Sequence, residues 1–169
     1  MTIDLASVTS TPRPLAVDLE GSQIDLGEEG SVPGAVHFEG EVLRDDTRAH
    51  VRGAITADVD IVCTRCGKTI TRHTEIDFDD VFVDSADETT EKDLEVDASQ
   101  LDEQLVENGQ IDLIDVIREQ ILLDLPEQVY CRDDCKGLCP QCGADRNLID
   151  CDCGEDDIDP RWAALKNIN

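Results

Sequence analysis

Val51-Arg-Gly-Ala-Ile-Thr-Ala-Asp-Val-Asp-Ile61 alternates with a period of two. Val51, Ile55, Ala57, Val59 and Ile61 fall on one face, and Arg52, Thr56, Asp58 and Asp60 on the other. Successive side chains of a strand point to opposite sides, so the pattern predicts a half-buried strand with water on one face. Upstream, the segment Ala35 to Leu43 is the expected neighbour, with Arg44-Asp-Asp-Thr-Arg48 as the hairpin loop. Downstream, the stretch from Ile70 to Val83 resumes strand character, with Ile76, Phe78 and Phe82 facing inward. Short connections favour neighbouring strands, which makes an antiparallel meander the simplest topology. Before this run, Leu15-Ala-Val-Asp-Leu19 and Ile24-Asp-Leu26 are expected as short edge strands, punctuated by Pro12, Pro14, Gly21, Gly27, Gly30, Pro33 and Gly34.

One helix has clear end signals. Asp112 suits an N-cap, Ile114, Ile117, Ile121 and Leu125 form an apolar stripe widened by Leu113 and Val116, and Pro126 stops the run. Such a helix should cover the apolar face of the sheet. The expected fold class is therefore α+β: an antiparallel β-meander or small barrel-like sheet covered by one main helix, with a small C-terminal zinc-binding module. Residues 1–126 are the expected core domain, carrying an acidic, mobile loop at about 84–107. Residues 127–169 are the cysteine-rich module and an amphipathic tail in which Trp162, Leu165 and Ile168 recur at spacings of three and Trp162 serves as a hydrophobic clasp.

Charge is the next strong feature. Asp and Glu total 40 against 14 Lys and Arg, a formal net charge of −26. A surface this negative repels phosphates, which makes duplex DNA a poor target and a zinc-containing transcription regulator a weak reading. It attracts cations and basic proteins instead, although salt adaptation or plain solvation yields the same composition. No basic leader and no run of transmembrane length is present, so a cytoplasmic, reducing setting is expected, with no membrane partner.

In that setting clustered thiols read as metal ligands. Cys131, Cys135, Cys139, Cys142, Cys151 and Cys153 crowd the C-terminal third, around the knuckle Cys139-Pro-Gln-Cys142-Gly143. A four-thiolate Zn2+ site needs Cys139 and Cys142 plus two more, with Cys135 and Cys153 favoured on loop reach; an iron–sulfur site is the alternative. His37, His50 and His73 lie far away in sequence, and a closed all-cysteine site is structural, not catalytic.

Three landmarks in order resemble the YceD-like family, the large ribosomal RNA subunit accumulation proteins, in its members with a C-terminal cysteine cluster. They are Cys63-Thr-Arg-Cys66-Gly67 after an alternating strand, the helix from Gln110 to Leu125-Pro126, and Asp134-Cys-Lys-Gly-Leu-Cys-Pro-Gln-Cys-Gly143 followed by Asp159-Pro-Arg161 and Ala164-Leu165. The resemblance covers roughly residues 35–169. It implies a ribosome-biogenesis factor that supports accumulation of 23S rRNA and large-subunit assembly, and with no catalytic pattern in the chain the expected role is non-enzymatic binding. Its implied partner is a ribosomal RNA precursor or a basic large-subunit protein, with L32 suggested by the family's gene neighbourhood.

The pair Cys63 and Cys66 stays open at this stage. It can bind metal with a partner chain, close the distant site with Cys139 and Cys142, or remain as reduced thiols at a hairpin tip. Because family members without the C-terminal cluster still show the pair, separate duties are favoured. Arg65 and Lys68, with Arg72 and His73 further on, form a small basic island suited to RNA phosphate or to local charge balance. The competing functional reading is a thiol-based redox switch or enzyme using Cys63 and Cys66, although a strand-to-strand turn lacks the helix N-terminus that activates such thiols.

Overall fold

The computed structural model describes residues 1–84, 103–153 and 161. Its strands in chain order are β1 (Thr2–Asp4), β2 (Arg13–Glu20), β3 (Ala35–Asp45), β4 (Arg48–Val62), β5 (Thr69–Asp84), β6 (Glu103–Val106) and β7 (Gln110–Asp112), followed by the helix α1 (Leu113–Asp124). The chain divides into two units. One comprises Met1–Val62 and Thr69–Glu127; the other comprises Cys63–Lys68 and the chain from Gln128 onward. The six residues between β4 and β5 group with the C-terminal unit.

In the first unit, β2, β3, β4 and β5 form the antiparallel meander that the alternation predicts, and the helix makes it α+β. The alternating run is longer than the stretch that announces it. Ala49, Val51, Ile55, Ala57, Val59 and Ile61 of β4 are all buried, while Arg52, Ala54 and Asp58 are exposed. Asp45 pairs with Arg48, so the expected five-residue loop tightens to a two-residue turn. Asp46 takes it at φ 55°, a left-handed conformation that Asp tolerates.

Other expectations shift. Phe82 is buried, but Ile76 and Phe78 are half-buried, and Thr74 takes the interior place between them and Arg72. Ile24 and Leu26 are buried without forming a strand. Within the stretch expected as an acidic loop, Glu103–Val106 pairs in parallel with Val81–Asp84 as β6. Its Glu103 carboxylate is shielded and lies 2.5 Å from Arg48 Nη2, so an acidic residue serves the sheet edge instead of solvating a loop. The remainder of that stretch, 85–102, and Trp162, Leu165 and Ile168 of the tail lie outside the described residues. A second, two-stranded sheet pairs β1 with β7 antiparallel, Ile3 opposite Ile111.

At the N-terminus of α1, Asp112 accepts the Ile114 N–H at 3.0 Å as the cap. The buried helix face is Leu113, Val116, Ile117, Gln120 and Ile121, whereas Ile114 and Leu125 are only half-buried. The face is rotated toward Gln120 for a polar reason. The Gln120 amide donates to the Asp80 carboxylate on β5 at 2.8 Å, and Thr74 donates its hydroxyl to Asp124. Burial raises the Asp80 pKa above its usual value, against the hydrogen bond from Gln120. Fully burying side chains such as Ile117 and Ile121 contributes roughly 1.5–3 kcal/mol each, so the apolar contacts dominate and the polar clasp selects the helix's rotation.

Gly40 of β3 faces Gly53 of β4. A Cβ on Gly40 would stand 2.2 Å from the Arg52 carbonyl oxygen, and one on Gly53 would stand 2.4 Å from that of Glu39. The Phe38 ring closes over the pair and packs on Phe78, ring centroids 5.8 Å apart. An open furrow of about 740 Å³ is lined by the two glycines and bordered by Glu39, Glu41, Asp77 and Asp79, with Arg52 among them.

Candidate metal centres

Cys63-Thr-Arg-Cys66-Gly67 and Cys139-Pro-Gln-Cys142-Gly143 fold alike. The Gly67 N–H donates to the Cys63 carbonyl and the Cys63 N–H to the Lys68 carbonyl, each at 2.8 Å; Gly143 and Cys139 repeat both bonds, the second to Ala144, again at 2.8 Å. Gly67 at φ 70° and Gly143 at φ 71° occupy the left-handed region that glycine enters without steric cost. The turns are two copies of one knuckle.

Each knuckle is completed by a second pair of thiols. Cys63 and Cys66 gather with Cys131 and Cys135; Cys139 and Cys142 gather with Cys151 and Cys153. Within each set the four sulfurs lie within 4.8 Å of one another. In the first, Cys63 Sγ is 3.8 Å from Cys135 Sγ, and Cys66 Sγ is 3.7 Å from Cys131 Sγ. A tetrahedron with metal–sulfur bonds of about 2.3 Å has sulfur–sulfur edges of about 3.8 Å, whereas a disulfide requires about 2.05 Å. All eight cysteines are free thiols. Both sets fit a tetrahedral ion, and each could hold one.

Electrostatics agrees with the geometry. Burial works against a Cys63 thiolate, but the backbone N–H groups of Cys131, Cys66 and Arg65 outweigh it and hold the thiol down to about 6. In the same set, burial and the neighbouring Cys66 push Cys131 up to about 12. The second set repeats the split. The amides of Cys142 and Gln141 hold Cys139 down to about 6, while the Cys142 side chain and burial push Cys153 up to about 12. Four thiolates this close repel one another, and a divalent cation is what lets all four ionise.

The six C-terminal cysteines therefore divide between two sets, each of which could hold an ion. Cys135, expected beside Cys139, Cys142 and Cys153, lies with Cys63, Cys66 and Cys131, and Cys151 takes the place assigned to it. Cys63 and Cys66 neither stand apart nor join Cys139 and Cys142. The basic island is partly spent on the fold. The Arg65 guanidinium donates to the Cys135 carbonyl at 2.9 Å and lies 3.9 Å above the centre of the Tyr130 ring, a cation–π contact. Arg72 pairs with the Asp124 carboxylate at 3.4 Å, and His73 with Asp58 at 2.7 Å, which raises the His73 pKa. Lys68 stays exposed. Asn147, which no sequence pattern singles out, donates its side-chain amide to Cys135 Sγ at 3.5 Å.

The model of the family described as large ribosomal RNA subunit accumulation protein YceD matches residues 51–169, which is more than half of the chain and includes both thiol sets. The chain belongs to the YceD family. An uncharacterised protein of Mycobacterium tuberculosis is 32% identical over 183 residues, covering 98% of this chain and 79% of its own. An uncharacterised protein of Bacillus subtilis is 37% identical over 68 residues, 40% of each chain. The Arabidopsis thaliana protein named large ribosomal RNA subunit accumulation protein YCED homolog 1, chloroplastic, is 36% identical over 59 residues, 35% of this chain and 18% of its own. No solved structure matches. Among the described residues of this YceD-family chain, no helix is long and apolar enough to cross a membrane.

Proposed function

We propose that this chain is a cytoplasmic ribosome-biogenesis factor that supports accumulation of 23S rRNA and assembly of the large subunit by binding, not by catalysis. Its membership of a family named for that accumulation, over residues 51–169, carries the reading. The chemistry of the two thiol sets supports a structural role for Zn2+: four thiolates fill a tetrahedral zinc and leave no position for a substrate. Cys63, Cys66, Cys131 and Cys135 would hold one ion, and Cys139, Cys142, Cys151 and Cys153 the other.

Charge supports a basic partner. With a net charge of −26 and carboxylates bordering the furrow over Gly40 and Gly53, the molecule suits a basic large-subunit protein, L32 being one candidate. A ribosomal RNA precursor is a weaker partner, because Arg65 and Arg72 are already engaged within the fold. Thiol exchange at Cys63 draws support from its pKa near 6. Yet that sulfur belongs to a residue only 2% exposed and shares its set with three others, which favours a ligand over a nucleophile.

The test is deletion of the gene, with the ratio of large- to small-subunit rRNA read directly and the tagged protein captured from a low-salt lysate. A fall in large-subunit rRNA together with co-purified large-subunit precursors is expected. An unchanged ratio with no large-subunit component in the capture would end the proposal.

A further inference from the structure

The two thiol sets differ in how far apart their members lie along the chain. One is local, confined to Cys139–Cys153. The other is split: Cys63 and Cys135 are 72 residues apart and Cys66 and Cys131 are 65 apart. From the geometry we infer that the local set takes up its ion first, and that Asn147 transmits this occupancy to the split set. The inference concerns the metal module alone and stands whether or not the ribosomal reading holds.

Loop closure favours the local set. The probability that two chain ends meet falls with loop length to the power of about 3/2, so the free-energy cost grows with the logarithm of that length. In an unstructured chain the split set is therefore about tenfold harder to assemble than the local one.

Asn147 links the local loop to the split set. It sits between Cys142 and Cys151, in the loop that an ion in the local set would close. Asp145 Oδ1 anchors it, accepting the Asn147 backbone N–H at 2.9 Å and its side-chain amide at 2.6 Å. From there Asn147 Oδ1 accepts the Lys136 N–H at 2.8 Å and an Arg132 guanidinium N–H at 2.8 Å, while its amide reaches Cys135 Sγ at 3.5 Å. One side chain thus grips the Cys131–Cys135 segment and offers an N–H to a ligand sulfur, which favours the thiolate that a metal requires. The backbone reinforces the link. The Leu138 N–H donates to the Arg65 carbonyl at 3.0 Å, inside the split set's knuckle, and the Arg146 N–H donates to the Gly137 carbonyl at 3.0 Å. Gly137, at φ 72°, lies where a Cβ would stand 2.9 Å from the Arg65 oxygen, so the two segments meet backbone to backbone.

The coupling is directional in assembly. The split set leans on the loop that the local ion closes, since Asn147 in that loop reaches Cys135 Sγ. Asn147 is a positioning residue: it orients the Cys135 sulfur and the segment bearing Cys131 without ligating the ion.

The full-length chain, stripped under reducing conditions, is titrated with Zn2+ against a chelator and with Co2+ for its thiolate charge-transfer and d–d bands. The wild type should bind two equivalents. Cys66→Ser with Cys131→Ser should leave local-set affinity within about twofold. Cys142→Ser with Cys153→Ser should weaken the split set by about tenfold or more. Asn147→Leu should still bind two equivalents at saturation, with split-set affinity reduced about 10–100-fold, the range for losing a partner that orients a metal ligand, and the local set unchanged. The Asn147 variant keeps all eight thiols and so decides the matter even where a double-Ser variant misfolds. One equivalent in the wild type, unchanged split-set affinity in Asn147→Leu, or equal weakening of both sets by that variant would overturn the inference.

Discussion

The two units are held together by different materials. The first buries a conventional apolar set, with Val36, Phe38, Val42, Val51, Ile55, Val59, Ile117 and Ile121 all fully shielded. In the described part of the second, the only buried side chains are those of Cys63, Cys135 and Cys139, while Tyr130, Leu138, Leu148 and Ile149 lie exposed. Its interior is sulfur. A segment with so little apolar surface to bury gains little to offset the entropy of ordering its chain, and metal ligation at its thiols is a source that could supply the difference. One polypeptide thus carries a unit stabilised by water's exclusion and another whose thiol sets suit stabilisation by coordination.

Stripping the metal is the strongest way to press on this contrast. Structural zinc contributes apparent folding free energies of about 10–16 kcal/mol in small metal-folded peptides. A chelator with reductant should therefore abolish amide-exchange protection around Cys131–Cys153, while β3, β4 and β5 keep theirs; equal loss in both units would show that the division is false. Next in size is the reverse experiment. Ile117→Ala should cost the first unit about 2–5 kcal/mol in chemical denaturation, with two metal equivalents still bound by elemental analysis. Asp112→Ala removes the cap of α1 and should cost about 1 kcal/mol in the same assay.

The smallest effect is a pH slope confined to the first unit. Burial raises the folded-state pKa of Asp80, so the folded state holds that proton more tightly than the unfolded chain does. The resulting stabilisation is complete below the usual carboxylate value and is lost as pH rises through the raised one. Asp80→Asn should flatten stability against pH in that window, measured by denaturant midpoints, and a slope unchanged by the substitution would count against the assignment.

How much of this was legible depended on the range of the signal. The period of β4 and the cap-to-proline frame of α1 are local patterns, and they yielded the meander and its helix. β1 and β7 are three residues each, too short for any period to register, and β6 is hidden by its acidic composition. Gln120 broke the apolar stripe because its partner, Asp80, is forty positions away in sequence. The centres were half visible. Each Cys-x-x-Cys-Gly announces a knuckle, and arithmetic could have gone further: two knuckles, each two thiols short, and four remaining cysteines in two close pairs. Which pair completes which knuckle is a matter of long-range folding, and Asn147 has no sequence signature at all.

The glycine pair at positions 40 and 53 has a consequence for how this chain can vary. Both residues are half-exposed, so any ranking of sites by burial would score them as permissive. Yet at either one a single added carbon would collide with backbone from the facing strand, which cannot swing aside as a flexible side chain would. Tolerance to substitution across this sheet should therefore dip sharply at two positions near its surface, a narrow intolerant spot flanked by residues such as Arg52 and Ala54 that a mutational scan would find forgiving.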